Sequence, residues 1–194
     1  YNINNKWSLK KRLILYKTKY LTLKAYKREN KPDWVYVSRD NAKNVVVILP
    51  VIKKEDKEYI LFLITKRPPL IAENKAEYCL ELPSGLVGDE NEFETIDEAF
   101  KKELLEETGL VADEFEILNK LVSTSGGLTS ETSTIAKAKI SNPEIVSNPI
   151  SDGGVIIDRI LVEKNEIKNF IKQKENEGFA ISSQMLAALY YLKE

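Results

Sequence analysis

The sequence predicts an α/β protein: an α/β/α sandwich with a mixed sheet, preceded by a small N-terminal antiparallel sheet. Three observations carry this. Two β-branched, apolar runs at 45–49 and 59–64 flank the polar turn 53–57, which reads as a hairpin of central strands. A helix with strong start and stop signals follows at 96–108, between those strands and later ones. Helical segments at 164–177 and 182–192 close the chain, so helices are available to both faces of the sheet.

The elements follow in order. Residues 1–32 hold ten Lys or Arg and a single acid, Glu29. Within them, 12–16 and 20–26 alternate or are β-branched and aromatic enough to read as strands, and 34–38 reads as a third after the turn 29–33. Lysines on such a segment suit the wet face and edges of a small sheet, where they discourage edge-to-edge pairing. A nucleic-acid-binding arm is the less favoured reading. The predicted division is 1–43 for this sheet and 44–194 for the main domain. Residues 79–82 form a short strand running into Pro83, Ser84 and Gly85, and 115–122, 133–140 and 155–162 read as further strands. Trp7, Cys79 and the pair Tyr190 and Tyr191 are read as packing residues.

Composition excludes several chemistries. The 194 residues contain no histidine, which removes zinc–histidine sites, serine–histidine triads and imidazole bases. Acid–base work falls to carboxylates, lysines or tyrosines. A single cysteine rules out an internal disulfide and suits a reducing cytoplasm, the expected location. Net charge is −1, so no global field favours nucleic acid. No apolar run approaches the roughly 20 residues that cross a bilayer, and no signal peptide is evident.

The segment 88–110 carries the chemistry. Thr95 followed by Glu98 is a capping-box signature that starts a helix near Ile96, and Gly109 supplies the left-handed residue that ends it. At about 100° per residue, Ile96, Ala99, Phe100 and Leu104 share one broad face. Glu103 and Glu107 project into the middle of that face and Glu106 lies at its edge. Unpaired carboxylates there cost several kcal/mol each or stay protonated. A hard divalent cation resolves the conflict, because Mg²⁺ prefers oxygen ligands; Mn²⁺ is a substitute. Such a metal points to phosphate chemistry. A solvated acidic helix with coincidental spacing is the bland alternative.

Gly88, Glu94, Glu103, Leu104, Glu106, Glu107, Gly109 and Leu110 resemble the signature of the Nudix hydrolases. Lys102 stands where that signature has arginine, and offers a point charge in place of a planar fork. The similarity extends to much of the chain and looks closest to the ADP-ribose pyrophosphatase branch, through Arg67-Pro-Pro, Glu81-Leu-Pro-Ser-Gly85, Gly127-Leu-Thr-Ser-Glu131 and Asp33-Trp34-Val-Tyr-Val-Ser-Arg39. In this branch one glycine usually serves both the segment before the signature and the signature itself. Here Gly85 and Gly88 are separate, which implies a longer loop.

The resemblance implies Mg²⁺-dependent hydrolysis of the pyrophosphate in a nucleoside diphosphate derivative, with ADP-ribose or another nucleotide sugar as the first expectation. It implies Glu103, Glu106, Glu107 and the Ser84 carbonyl as metal ligands, and Glu94 as an orienting residue. Glu131 becomes the candidate general base, with Glu106 or another signature glutamate as competitor. Arg67 becomes the candidate for phosphate contact, Glu81 for substrate contact or an ion pair, Trp34 for stacking on a nucleobase or for packing, and Arg39 a lesser candidate for the same pocket as Trp34. The N-terminal sheet implies a homodimer, with strands exchanged between subunits. A nucleotide-sugar binding module with degraded catalysis and an RNA-directed protein are the rival functions.

Overall fold

The computed structural model describes residues 12–150 and 155–193. Trp7 and the first part of the basic segment therefore lie outside the described residues. Strands β1 (Arg12–Lys17), β2 (Thr22–Tyr26) and β3 (Trp34–Ser38) form a three-stranded antiparallel sheet of order β1-β2-β3. Asp40 stitches its base, accepting hydrogen bonds from Thr22 Oγ1 (2.5 Å), Lys24 Nζ (2.7 Å) and Ser38 Oγ (2.7 Å). The bond from Lys24, then those from Thr22 and Ser38, hold the Asp40 carboxyl well below the usual carboxylate range.

The second sheet has eight strands. Its main path is β11 (Ala180–Ile181), β6 (Cys79–Glu81), β5 (Lys57–Thr65), β4 (Asn44–Lys54), β9 (Thr132–Ile140) and β8 (Glu114–Ser123). Off this path, β10 (Ile156–Glu163) pairs with β5 and β7 (Ser84–Val87) pairs with β4. The β4–β9 and β11–β6 pairs are parallel and the others antiparallel, so the sheet is mixed.

Strand β4 lies at the centre and is buried on both sides, as its unbroken apolar run requires. Val45, Val47, Leu49 and Val51 face Met185, Ala188 and Ile167, from helices α4 (Ser183–Leu189) and α3 (Ile167–Asn176). Val46, Ile48 and Ile52 face Ala99, Phe100 and Leu104 of α2 (Ile96–Thr108). Period-two side chains on one strand thus glue a helical layer to each face, giving the expected α/β/α sandwich. No described helix is long and apolar enough to cross a membrane.

Some boundaries differ from expectation. Residues 164–166 form a 3-10 turn ahead of α3, and α4 gives way to 3-10 geometry at Tyr190–Lys193. A five-residue helix α1 (Pro68–Ala72) occupies the turn after β5, where two prolines preset the first helical positions. Strand β7 lies where glycines and a proline read as loop.

Candidate active site

Strands β4 and β5 pair only near their hairpin, between Val51–Lys54 and Lys57–Ile60, and then diverge. Beyond the fork, β6 continues on β5 and β7 on β4. The chain crosses between them at Leu82 and Pro83, and the Ile48 amide donates to the Pro83 carbonyl (2.8 Å) in the cleft. Pro83 needs no partner for an amide proton it lacks, which suits this position. The crossing sets Glu81, Ser84 and Gly85 at the mouth of a cavity of about 520 Å³.

Helix α2 supplies the opposite wall. Both halves of its capping box are formed, between Thr95 and Glu98, and Gly109 ends it in the left-handed conformation at φ 73°. The face deduced from periodicity is the one buried. Glu107 is 7% exposed and accepts a hydrogen bond from the Ser84 amide (2.9 Å). The Glu103 carboxyl fills the space where a side chain at Gly85 would stand: a Cβ there would lie 1.9 Å from the carboxyl carbon.

Lys102 Nζ lies 3.0 Å from Glu94, 3.5 Å from Glu103 and 4.0 Å from Glu90. Burial alone would lower its pKa, but the bond to Glu94 and the charges of Glu103, Glu94 and Glu90 raise it. Lysine therefore still reaches the carboxylates on both sides of it. Glu94 accepts from the Gly88 amide (2.9 Å), clamping the left-handed turn at Gly88 (φ 83°) to α2 through Lys102. Burial pushes the Glu103 carboxyl up to about 7; the charges of Glu106 and Asp89 add to this while Lys102 opposes it.

Two more ion pairs line the cavity. Arg67 places Nε (2.8 Å) and a terminal nitrogen (2.7 Å) on one oxygen of Glu81, which also accepts from Thr65 Oγ1 (2.8 Å). Glu81 thereby aims the guanidinium into the cleft. Arg39 Nε lies 3.3 Å from Glu131, at the end of the loop between β8 and β9.

Of the residues named from sequence, Arg39, Arg67, Glu81, Ser84, Glu103, Glu106, Glu107 and Glu131 all line this cavity. Glu94 and Trp34 do not. Trp34 is half-exposed on the small sheet, its indole N–H donated to the Gly127 carbonyl (2.9 Å). Sequence reasoning missed Asp89, Glu90, Ser182 and Gln184 on the cavity wall. It also missed Arg159 on β10, which donates to the Glu107 backbone carbonyl and to that of Ile150 (2.6 Å). The last turn of α2 has no basic residue, so Arg159 provides the cation that a helix C-terminus favours. Its place, 52 residues further along the chain, left no local signal.

Seven carboxylates line the cavity against three cationic side chains. Among the described residues no three acidic side chains close on a single point; those of α2 are shared among Lys102, the Ser84 amide and the cleft. The donor set is oxygen throughout, crowded and partly desolvated, which is the chemistry a hard divalent cation stabilises. An anionic ligand could enter so acidic a cleft only with cations to offset the charge.

A solved structure described as the NUDIX domain of Shewanella oneidensis NrtR, complexed with ADP ribose, superposes with a TM-score of 0.55 at 14% identity, over 78% of this chain and 86% of that one. This chain has the Nudix fold. A structure described as an ADP compounds hydrolase matches at TM-score 0.64 and 18% identity, over 94% of this chain and 89% of its own. In sequence, the chain is similar to a Caenorhabditis elegans protein named putative nudix hydrolase 2, at 29% identity over 146 residues. That alignment takes in 73% of this chain but 61% of the relative's length. No protein-family model matches the chain. Within this fold, Glu103, Glu106 and Glu107 of the segment 88–110 line the cavity.

Proposed function

We propose that this chain is a Nudix hydrolase that cleaves the pyrophosphate bond of a nucleoside diphosphate derivative, with ADP-ribose or another nucleotide sugar as the first candidate. The observation that carries this is the meeting of Glu103, Glu106 and Glu107 with Arg67, Arg39 and Glu131 around one cleft. Glu103, Glu106 and Glu107 would hold Mg²⁺, or Mn²⁺ in its place. When bound, the cation would supply positive charge to the diphosphate and make nearby water more acidic.

The remaining work belongs to the chain's own groups. Lys102 and the Ser84 amide hold the α2 carboxylates in orientation, with Glu94 behind them. Arg67, aimed by Glu81, contacts a phosphate through its planar fork. The Glu131 carboxylate accepts a proton from water as the water oxygen attacks one phosphorus. The bond from that phosphorus to the bridging oxygen breaks, and the electron pair leaves with the other phosphate. A nucleoside monophosphate and a sugar phosphate result.

The small sheet supports a homodimer reading. All six residues of β1 are exposed, and Leu13, Ile14, Leu15 and Tyr16 among them are apolar or aromatic. A second copy of the chain fits such a surface. The functional test is phosphate release, coupled to a phosphatase, from a panel of nucleoside diphosphate derivatives with and without Mg²⁺. Turnover of one class only with Mg²⁺ is expected. Measurable nucleotide-sugar binding without turnover by the wild type would instead make the chain a binding module.

A further inference from the structure

We infer that Gln184 of α4 reads the hydroxyls of a sugar attached to the diphosphate, and so selects sugar-linked nucleotides over other diphosphate derivatives. This rests on the proposed hydrolysis of such a diphosphate and adds a specificity-determining residue to it. Because β4 and β5 diverge, the cavity opens toward both helical layers, and residues of α2 and α4 both line it. Strand β11 pairs in parallel with β6, Ala180 beside Cys79 and Ile181 beside Leu80. The Ser182 amide continues the ladder by donating to the Leu80 carbonyl (3.1 Å). This register carries Ser182 alongside Glu81, and both line the cavity together with Gln184.

Among the described residues two buried side-chain atoms find no hydrogen-bond partner, Ser133 Oγ and Gln184 Nε2. Of the two residues, Gln184 is the one on the cavity wall. An orphaned donor costs about 1–3 kcal/mol, a penalty that an acceptor on a ligand removes. The last torsion of a glutamine is broad and roughly two-fold, so the carboxamide can turn its N–H₂ into the cavity without moving α4. The groups beside it define the ligand. Glu81 receives Arg67 and Thr65 on Oε2, which leaves acceptor capacity on Oε1. Ser182 Oγ accepts from the Met185 amide (3.3 Å) and can still donate its own proton. Donors thus stand beside a carboxylate acceptor. A phosphate only accepts, and Glu81 would repel it from this spot. Neighbouring sugar hydroxyls both donate and accept, and satisfy both kinds of group. Arg67, held on the other oxygen of Glu81, sets a phosphate next to that sugar.

The test compares wild type with Gln184→Met, which keeps the length of the side chain but not its amide. ADP-ribose and UDP-glucose are each set against the β-methyl ester of the same nucleoside diphosphate, which has no hydroxyl beyond the diphosphate. Affinity is measured by calorimetry, and turnover by phosphatase-coupled phosphate release in Mg²⁺. In Gln184→Met, affinity and kcat/KM for the sugar-linked compound should fall about tenfold, the effect of one hydrogen bond, with a change below about twofold for the ester. The urea midpoint should be no lower than that of wild type, because an orphaned donor is removed. Equal losses on both compounds, or a loss on neither, would overturn the inference. A clearly lower urea midpoint would also overturn it, by showing that the amide serves the fold. If wild type binds a sugar-linked compound without turnover, the hydrolase reading fails, while the affinity ratio still decides the role of Gln184. Failure of wild type to bind any of these compounds would overturn both.

Discussion

Replacing Gly85 by alanine should remove activity while leaving the fold almost intact. The added methyl would lie 1.9, 2.1 and 2.3 Å from the Glu103 carboxyl carbon and its two oxygens. Restoring ordinary contact of roughly 3.5–4 Å requires those atoms to move by about 1.2 Å or more. The backbone can stay in place, because the obstructing group is the far end of a flexible side chain. Stability should therefore fall by no more than about 1 kcal/mol, part of which the lower entropy of the unfolded chain offsets. Activity is far less tolerant: a misplacement of about 1 Å can cost 10²-fold in rate. The expected loss in kcat/KM is about 100-fold, equivalent to about 2.7 kcal/mol of transition-state stabilisation. Urea unfolding and Mg²⁺-supported kinetics on the same preparation measure both quantities. Retention of more than a third of wild-type kcat/KM would refute the reasoning, since Glu103 would then have no fixed task. Wholesale unfolding would refute it too, by placing the rigidity in the backbone.

Three further outcomes follow from the structure. Arg159→Met should destabilise the protein by about 1 kcal/mol by leaving the part-buried carbonyl of Glu107 without its donor, seen as a lower urea midpoint. Asp40 has a folded-state pKa depressed by Lys24, Thr22 and Ser38, so its contribution is full above about pH 4 and fades as pH falls through the folded value. The stability gap between wild type and Asp40→Asn should accordingly be widest near pH 6 and shrink toward pH 2, read from urea midpoints across that range. Cys79 is buried and its thiol is pushed up to about 12 by burial, with Glu81 adding to the effect, so a thiol reagent at pH 8 should modify it only as the protein unfolds.

The parts of the molecule legible in sequence are those whose signals are local. Thr95, Glu98 and Gly109 bracket α2 within a few residues of its ends, and its 3.6-residue period puts Glu107 on the buried face, with Glu103 and Glu106 partly buried beside it. The double-sided burial of β4 follows from its continuous apolar run. Strand β7 was invisible because Ser84 and Gly85 have no strand preference; pairing with Asn44–Val47 makes it a strand. Gln184 reaches the cavity from α4, Arg159 reaches the Glu107 carbonyl at the end of α2 from β10, and nothing in their own neighbourhoods marks them. For Trp34, residue type alone favours packing, and its position beside the small sheet raises stacking to an even alternative. Only its 2.9 Å bond to Gly127, across 93 residues, reveals which surface it meets.

The central claim is that Glu103, Glu106 and Glu107 of α2 support hydrolysis of a diphosphate. Its most direct test follows ADP-ribose by phosphorus NMR in Mg²⁺, with wild type and Glu107→Gln in parallel, and repeats the run on UDP-glucose. The account predicts that the diphosphate signals of at least one substrate give way to two monophosphate signals with wild type, and persist with Glu107→Gln or after chelation. Equal conversion by wild type and Glu107→Gln, or conversion indifferent to chelator, would contradict it.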